Sequence, residues 1–203
     1  MLAEVFPGFF ALWSDTLWCD HLRKTLYWYL VANDYSMGIR ADAGIILAQT
    51  ALERLAWVHC VKHRNIVSPA AFARKGLSAA DKIRMLATTF GIPTQLPDTM
   101  KALNAKRGEK WASIPDAIAE IRNALVHPYD KDSPPKGAYY EAWRLSMWLL
   151  DLALLRLCKH TGHYASRLAD GRWAGTVEQV PWAKETSTQK AEQSGTNEEQ
   201  NLR

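Results

Sequence analysis

Residues 122–128, Arg-Asn-Ala-Leu-Val-His-Pro, contain the residue types that can act on a phosphate ester. The imidazole of His127 can accept a proton and return it near neutral pH, because the pKa of an unperturbed histidine is about 6.5. The guanidinium of Arg122 stays charged and presents a planar set of donors that fits phosphate oxygens. Asn123 can orient either the histidine or the phosphate. These types predict an acid/base group beside an anion-binding group.

The spacing of an arginine and a histidine five residues later is weak evidence alone, because the chain repeats it at Arg54 and His59. That earlier copy lies within a helical pattern that continues past the histidine. In the later copy an asparagine follows the arginine, and Pro128 ends the helix because the residue before a proline is disfavoured in the helical region. We therefore take the later copy as the candidate catalytic site.

The geometry of a helix limits how the later copy can work. Residues five apart on a continuous α-helix are rotated by about 140°, so Arg122 and His127 do not share a face. Asn123 and His127 are four apart and do share one. A working pair therefore requires that Pro128 re-aim the histidine, or that a second copy of the chain supply the arginine. The alternative is a helix terminus where the histidine contacts the last carbonyls and the arginine forms an ion pair within the bundle.

Helical spacing of apolar residues runs through most of the chain, and turn signals divide it into segments. The predicted helices cover residues 9–31, 41–63, 78–90, 97–106, 113–127 and 138–160. A helical turn through Tyr164 and Arg167 follows, and then an extended strap over residues 173–182. No segment alternates convincingly with period two. The predicted fold class is all-α, a bundle of long antiparallel helices with a basic irregular middle and an extended C-terminal strap.

The composition predicts one folded domain and a tail. Nine tryptophans favour a globular chain, because each indole brings a large apolar surface that folding must bury. Residues 184–203 are almost all polar and include no aromatic residue, so they have little to bury. We expect a helical domain over residues 1–183 and a disordered polar tail over residues 184–203.

The positive charge is concentrated in the middle of the chain. Residues 62–110 contain ten Lys or Arg against three Asp or Glu, whereas the segments on either side have a small acidic excess. Such a region attracts phosphate backbones. We expect RNA to contact five of these side chains, namely Arg74, Lys75, Lys106, Arg107 and Lys110. The alternative is a solvated loop region that happens to be basic.

The cysteines and the hydropathy pattern indicate the compartment. Cys19, Cys60 and Cys158 are far apart and lack the spacing of a zinc site, so we expect buried thiols in a reducing environment. The first residues carry no positive charge ahead of apolar ones, as a signal peptide would. No stretch reaches about eighteen uninterrupted apolar residues. A cytoplasmic protein without a membrane segment, bound metal or cofactor is expected.

The motif and its surroundings resemble a known family. Arg-Asn-x-x-x-His after an apolar helix resembles the signature of the HEPN superfamily. The resemblance extends over roughly residues 10–183 and is closest to the C-terminal part of ApeA-type anti-phage proteins. The segments that carry it are Ala51-Leu-Glu-Arg-Leu55, Trp28-Tyr29-Leu30 with Ala32-Asn33, Gly162-His-Tyr164 with Arg167, and Val180-Pro-Trp182. Many ApeA-type proteins carry another domain before the helical one, and none precedes it in this sequence.

The resemblance implies a homodimer in which two motifs meet in one cleft and cleave RNA without metal. The 2′-hydroxyl of RNA would be the nucleophile, and the products would be a 2′,3′-cyclic phosphate and a 5′-hydroxyl. His127 would be the acid/base, Arg122 would bind the phosphate and Asn123 would support them. Such a protein would act as a toxin or an anti-phage effector, with RNA, a second copy, and an antitoxin or a separate sensor protein as its partners.

Two alternatives stay open. The first is a module of the same fold that binds RNA, a nucleotide or a protein partner without cleaving. The second depends on Tyr129, because R-x4-H-x-Y also resembles toxins that are silenced when an antitoxin adenylylates the tyrosine.

Other residues carry narrower expectations. Glu53 lies in an otherwise apolar helix, where an unpaired charge is costly. We expect it to support the site by an ion pair with Arg122 or Arg54; the alternative is a glutamate at a rim facing water. His59 and His63 lack a partner that would complete a metal site. The region of Trp143, Trp148 and Leu152 is expected to pack in the interior or at a dimer seam.

Overall fold

In a computed structural model of the chain, residues 2–34, 41–127, 134–169 and 175–183 are described. The helices are α1 (Leu2–Ser14), α2 (Cys19–Asn33), α3 (Ala41–Ala56), a π-helix (Trp57–His63), α4 (Pro69–Phe72), α5 (Ala79–Phe90), α6 (Lys101–Asn104), α7 (Ile114–Val126) and α8 (Ala138–Leu157). The strands β1 (His163–Tyr164) and β2 (Glu178–Gln179) form one short antiparallel pair. The prediction of an all-α bundle is confirmed.

Helix α3 lies at the centre of the bundle, where α2, α5, α7 and α8 pack against it. Its apolar residues recur at helical spacing, and Ile45, Ala48, Leu52 and Leu55 are fully buried. Such a helix is covered on more than one side.

The prediction of one long first helix is wrong, because the chain turns between α1 and α2. The Oδ1 atom of Asp15 accepts the backbone N–H of Leu17 at 2.8 Å and of Trp18 at 3.1 Å. An aspartate that bonds the backbone in this way competes with the helix. The apolar spacing continues through the turn because Trp18 packs in the core, whereas α1 buries none of its residues.

The second predicted helix has the expected extent but changes its pitch at Trp57. Beyond this residue the hydrogen bonds span five residues, as in the 2.9 Å bond from the N–H of Arg64 to the carbonyl of His59. This π-helix buries Val58, Cys60 and Val61. π-Helical turns are rare in proteins, and those that occur often lie at functional sites.

Helices α5 and α7 begin and end where the sequence predicted. Ser78 and Asp81 form a capping box at the start of α5, and Gly91 ends it at a φ of 68°, where glycine carries no steric cost. Ser113 precedes α7, and Arg84 joins the two helices by contacting both Asp81 and Asp116. The helix predicted over residues 97–106 is shorter, because the chain is helical only from Lys101 to Asn104.

The predicted helical turn through Tyr164 and Arg167 is wrong, because Tyr164 lies in β1 and the chain turns only at Arg167 and Leu168. Tyr164 pairs with Glu178 in the short sheet. The described part of the predicted strap, residues 175–182, lies on the bundle. Val180 and Trp182 are each 1% exposed, and the indole N–H of Trp182 donates to the carbonyl of His160 at 2.8 Å. Residues 173, 174 and the predicted tail over residues 184–203 lie outside the described residues.

The expectations for the cysteines and for the tryptophan region concern burial, and a third concerns membrane-spanning helices. Cys60 and Cys158 are buried, and burial raises the pKa of each thiol to about 11, but Cys19 is only half-buried. Trp148 and Leu152 pack in the interior, whereas Trp143 is half-buried and its indole N–H donates to the carbonyl of Ala32 at 2.9 Å. Within the described ranges no helix has both the length and the apolar character needed to cross a membrane.

Candidate functional site

The end of α7 carries the candidate motif out of the core and into solvent. Ile114, Ala117, Ile118 and Ile121 are fully buried, whereas the four exposed residues of the last turn are Asn123, Ala124, Val126 and His127. The N–H of His127 donates to the carbonyl of Asn123 at 2.9 Å, and the backbone then leaves the helix at φ −119° and ψ 88°. The prediction that α7 ends at this histidine is confirmed.

Arg122 differs from its two companions in the motif because it is half-buried. Its Nη1 atom lies 3.4 Å from the Oδ1 atom of Asn123, a long contact between neighbours. Among the residues that the structure describes, no carboxylate forms an ion pair with Arg122. The ion pair within the bundle that the alternative interpretation required is therefore absent from the described part of the chain.

Asn123 shares a surface cleft with the basic middle. The cleft has a volume of about 400 Å3, and Asn123 lines it together with Lys110 and the first residues of α5. Its lining also contains Glu109, Asp116 and Glu120, so its charge is mixed, and it contains neither Arg122 nor His127. Asn123 and Lys110 thus line the same cleft, whereas Arg122 and His127 contact Asn123 without lining it.

The five predicted RNA-binding side chains lie in two connecting segments. Arg74 and Lys75 follow α4 and are exposed. The other three follow α6, where the indole N–H of Trp111 donates to the carbonyl of Leu103 at 2.8 Å and anchors the loop. Arg107 and Lys110 are exposed, whereas Lys106 is half-buried with its ammonium 3.0 Å from Glu109. This placement is compatible with contact to a phosphate backbone.

The prediction that Glu53 pairs with Arg122 or Arg54 is wrong. Its carboxylate accepts a hydrogen bond from the amide of Gln49 at 3.0 Å and lies 3.6 Å from the ammonium of Lys82. The reason is the side of α3 on which Glu53 lies, since that side faces α5, the helix that carries Lys82. Glu53 therefore stabilises the packing of α3 against α5, and neither of these contacts involves a residue of the motif.

The earlier copy of the spacing is used for packing. Arg54 contacts the Nδ1 atom of His21 at 2.9 Å and lies over the ring of Trp28 at 5.1 Å. His59 is 9% exposed, and the centroid of its ring lies 4.4 Å from that of Phe90 in an edge-to-face arrangement. Burial, together with the charges of His63 and Arg64, lowers the pKa of His59 to about 4. His59 is therefore neutral near pH 7.

Tyr129, which carries the adenylylation alternative, lies outside the described residues, as does Pro128. The described chain resumes at Pro134, and α8 begins at Ala138.

Sequence reasoning missed a polar network that joins α2, α8 and the C-terminal segment. The guanidinium of Arg167 donates to Asp151 at 2.5 Å and to Asn33 at 2.8 Å, and the hydroxyl of Tyr29 donates to Asp151 at 2.8 Å. Burial, with the charge of Asp151, raises the pKa of Tyr29 to about 12. The available signal was Asp151 itself, a carboxylate within the apolar run of α8 that required a partner.

Comparisons with known proteins place the chain in a family. The model of the YopA C-terminal domain family matches residues 15–179, which include all of α7 and the network. An uncharacterized SPbeta prophage-derived protein of Bacillus subtilis (strain 168), YopA, is 28% identical over 185 residues, which cover 89% of this chain and 40% of that protein. The chain thus spans less than half the length of this relative. No solved structure matches the chain.

Proposed function

This chain belongs to the family of the YopA C-terminal domain, and we propose that it is a metal-independent endoribonuclease of the HEPN type. The observation that supports the proposal is the contrast between two equal spacings. Arg54 and His59 are engaged in packing, whereas the last turn of α7 presents Asn123 and His127 to solvent. An exposed imidazole at a helix end can meet a substrate, and a buried neutral one cannot.

The proposed reaction needs only the groups of the motif and those of the RNA. The imidazole of His127 accepts the proton of the 2′-hydroxyl, the 2′-oxygen bonds to phosphorus, and the bond from phosphorus to the 5′-oxygen breaks. The leaving oxygen takes a proton from an imidazolium, which gives a 2′,3′-cyclic phosphate and a 5′-hydroxyl. Arg122 stabilises the negative charge that develops on the phosphate oxygens.

The site is proposed to form between two copies of the chain. Arg122 faces partly into the bundle while His127 is exposed, so one chain does not present both groups together. The last turn also exposes Ala124 and Val126, which is 39% exposed and apolar. A second copy that covers this turn would bring its own Arg122 beside the histidine, and the imidazolium that forms when His127 accepts the proton then protonates the leaving oxygen. The role in the cell that we propose is that of a toxin or an anti-phage effector.

The test is incubation of the purified protein with RNA in EDTA. Cleavage is expected to persist, and His127→Ala should slow it by about 10²–10⁴-fold, since this is the usual contribution of a general acid/base. Arg122→Ala should have a comparable effect. The matched controls are His163→Ala and Arg23→Ala, which remove an exposed histidine and an exposed arginine outside the motif.

Equal cleavage by the motif variants and the wild type would refute the proposal, as would cleavage that EDTA abolishes. RNA that is bound but never cut would favour a binding module of the same fold. Circular dichroism of each variant establishes that the bundle is intact.

A further inference from the structure

A second cleft, with a volume of about 910 Å3, lies where α1, the π-helix and the end of α8 meet, and none of its lining residues belongs to α7. Its lining carries four basic side chains, namely His63, Arg64, Arg156 and Lys159. Asp15 also lines it, but one oxygen of this carboxylate already accepts the N–H groups of Leu17 and Trp18. The cleft therefore favours an anion.

The remaining wall of the cleft is apolar and aromatic. Leu12, Trp18, Ile66, Phe90 and Leu157 line it. Trp18 and Phe90 are each 3% exposed, so the accessible apolar surface of the cleft is mainly that of Leu12, Ile66 and Leu157. A ligand that fits both the basic and the apolar wall must combine a negative charge with an apolar or aromatic group.

Lys159 reaches the cleft from an unusual backbone position. Its φ is 59°, in the left-handed region, and the next N–H, that of His160, closes the end of α8 on the carbonyl of Leu155 at 3.0 Å. Glycine is the usual residue at such a helix end, because a side chain there is strained. Lysine thus costs stability at this position, while it supplies a cation to the cleft.

His59 adds a polar group at the floor of the cleft. It is 9% exposed and lines the cleft from the π-helix. Its Nδ1 atom is buried and has no hydrogen-bond partner in the described part of the chain. A buried nitrogen without a partner is unfavourable, so His59 has a hydrogen-bonding capacity that the described packing does not use.

We propose that this cleft binds an organic phosphate of nucleotide size. The phosphate lies against Arg64, Arg156 and Lys159, and the organic group lies against Leu12, Ile66 and Leu157. The volume is within the usual range for small-molecule sites, about 300–1,000 Å3. The inference uses no residue of the α7 motif, so it stands or falls independently of the proposed ribonuclease activity.

The test is isothermal titration of the whole chain with adenosine 5′-monophosphate, with adenosine and inorganic phosphate as separate arms. The nucleotide is expected to bind with a Kd below about 1 mM, and each fragment at least about tenfold more weakly. Arg156→Gln should weaken nucleotide binding by about 10- to 100-fold, the usual effect of losing a hydrogen bond to a charged group. Lys136→Gln, at an exposed lysine outside the cleft, is the matched control.

Lys159→Gly separates binding from folding. Glycine relieves the strained backbone, so the thermal midpoint should hold or rise while nucleotide affinity falls. The proposal is overturned if the nucleotide does not bind at millimolar concentration, if inorganic phosphate alone binds as tightly, or if Lys159→Gly and Arg156→Gln both keep wild-type affinity.

Discussion

A histidine exchanges protons with a substrate only where the substrate can reach its ring. His127 is exposed at the end of α7, while His59 is almost fully buried against Phe90. The two histidines follow an arginine at the same distance in sequence. Chemistry at the residue scale is therefore decided by the environment of each ring, and the spacing alone does not specify it.

The buried state of His59 predicts a particular dependence of stability on pH. Its pKa is about 4 in the folded chain against 6.5 for an ordinary histidine, so the unfolded chain takes up the proton first as the pH falls. The stability that the neutral ring provides is complete above about pH 6.5 and is lost between about pH 6.5 and about pH 4. His59→Gln, which cannot titrate, should lose less unfolding free energy than the wild type over this interval.

Chemical denaturation at several pH values measures this difference. His163→Gln is the control, because it makes the same substitution at an exposed histidine. If His59→Gln followed the same slope as the wild type, His59 would not be the group responsible.

At the scale of elements, local signals located the helix ends that depend on nearby residues. Ser78 with Asp81, Gly91 and Pro128 each act within a few positions, and the elements they delimit begin or end where the sequence predicts. The break at Asp15 was missed because Trp18 continues the apolar pattern through the turn.

Long-range contacts account for the other differences. Glu53 pairs with Lys82 because of the way α3 meets α5, and no local pattern specifies that meeting. The pairing of Tyr164 with Glu178 likewise joins segments that are distant in sequence. The motif residues of the candidate site could be named from the sequence. Their surroundings could not, because only the fold shows that Asn123 lines a cleft, that Arg122 is half-buried and that His127 is exposed at the end of α7.

Helix α1 approaches the end of α8 most closely at Gly8, which predicts a local effect on this helix. A Cβ atom at Gly8 would lie 2.0 Å from the carbonyl oxygen of Cys158, at the end of α8. Alanine forms helix better than glycine by about 1 kcal/mol, so propensity alone would favour Gly8→Ala. We expect the opposite, because the clash displaces α1 and its amides lose protection from hydrogen exchange.

Hydrogen exchange with mass spectrometry checks this expectation, since it reports α1 separately from the core. Gly76→Ala is the matched control, because an added Cβ at Gly76 meets no atom within 4 Å. Unchanged protection of residues 2–14 in Gly8→Ala would show that α1 does not depend on this contact. Because α1 buries no residue, the unfolding free energy of the core should change little.

At the scale of the whole molecule, the central position of α3 explains why only one copy of the spacing is exposed enough for the proposed catalysis. The bundle encloses His59 and leaves the last turn of α7 at its surface. Arg122 and His127 lie on different sides of that turn, since five helical residues rotate by about 140°. A complete proposed site therefore requires two molecules, and its groups can be separated between them.

Mixing two inactive variants tests this requirement directly. Homodimers of Arg122→Ala should be inactive because they lack the phosphate-binding arginine. Homodimers of His127→Ala should be inactive because they lack the acid/base histidine. If one chain's arginine works with the other chain's histidine, a mixed dimer retains one intact Arg122 beside one intact His127. Mixing the two variants under conditions that exchange subunits should then restore RNA cleavage that neither has alone.

The chain with both substitutions, mixed with either variant, is the control, because every mixed dimer then lacks one of the two groups. If mixing the single variants restored no activity although subunit exchange was demonstrated by a mass-tagged chain, the shared site would be excluded.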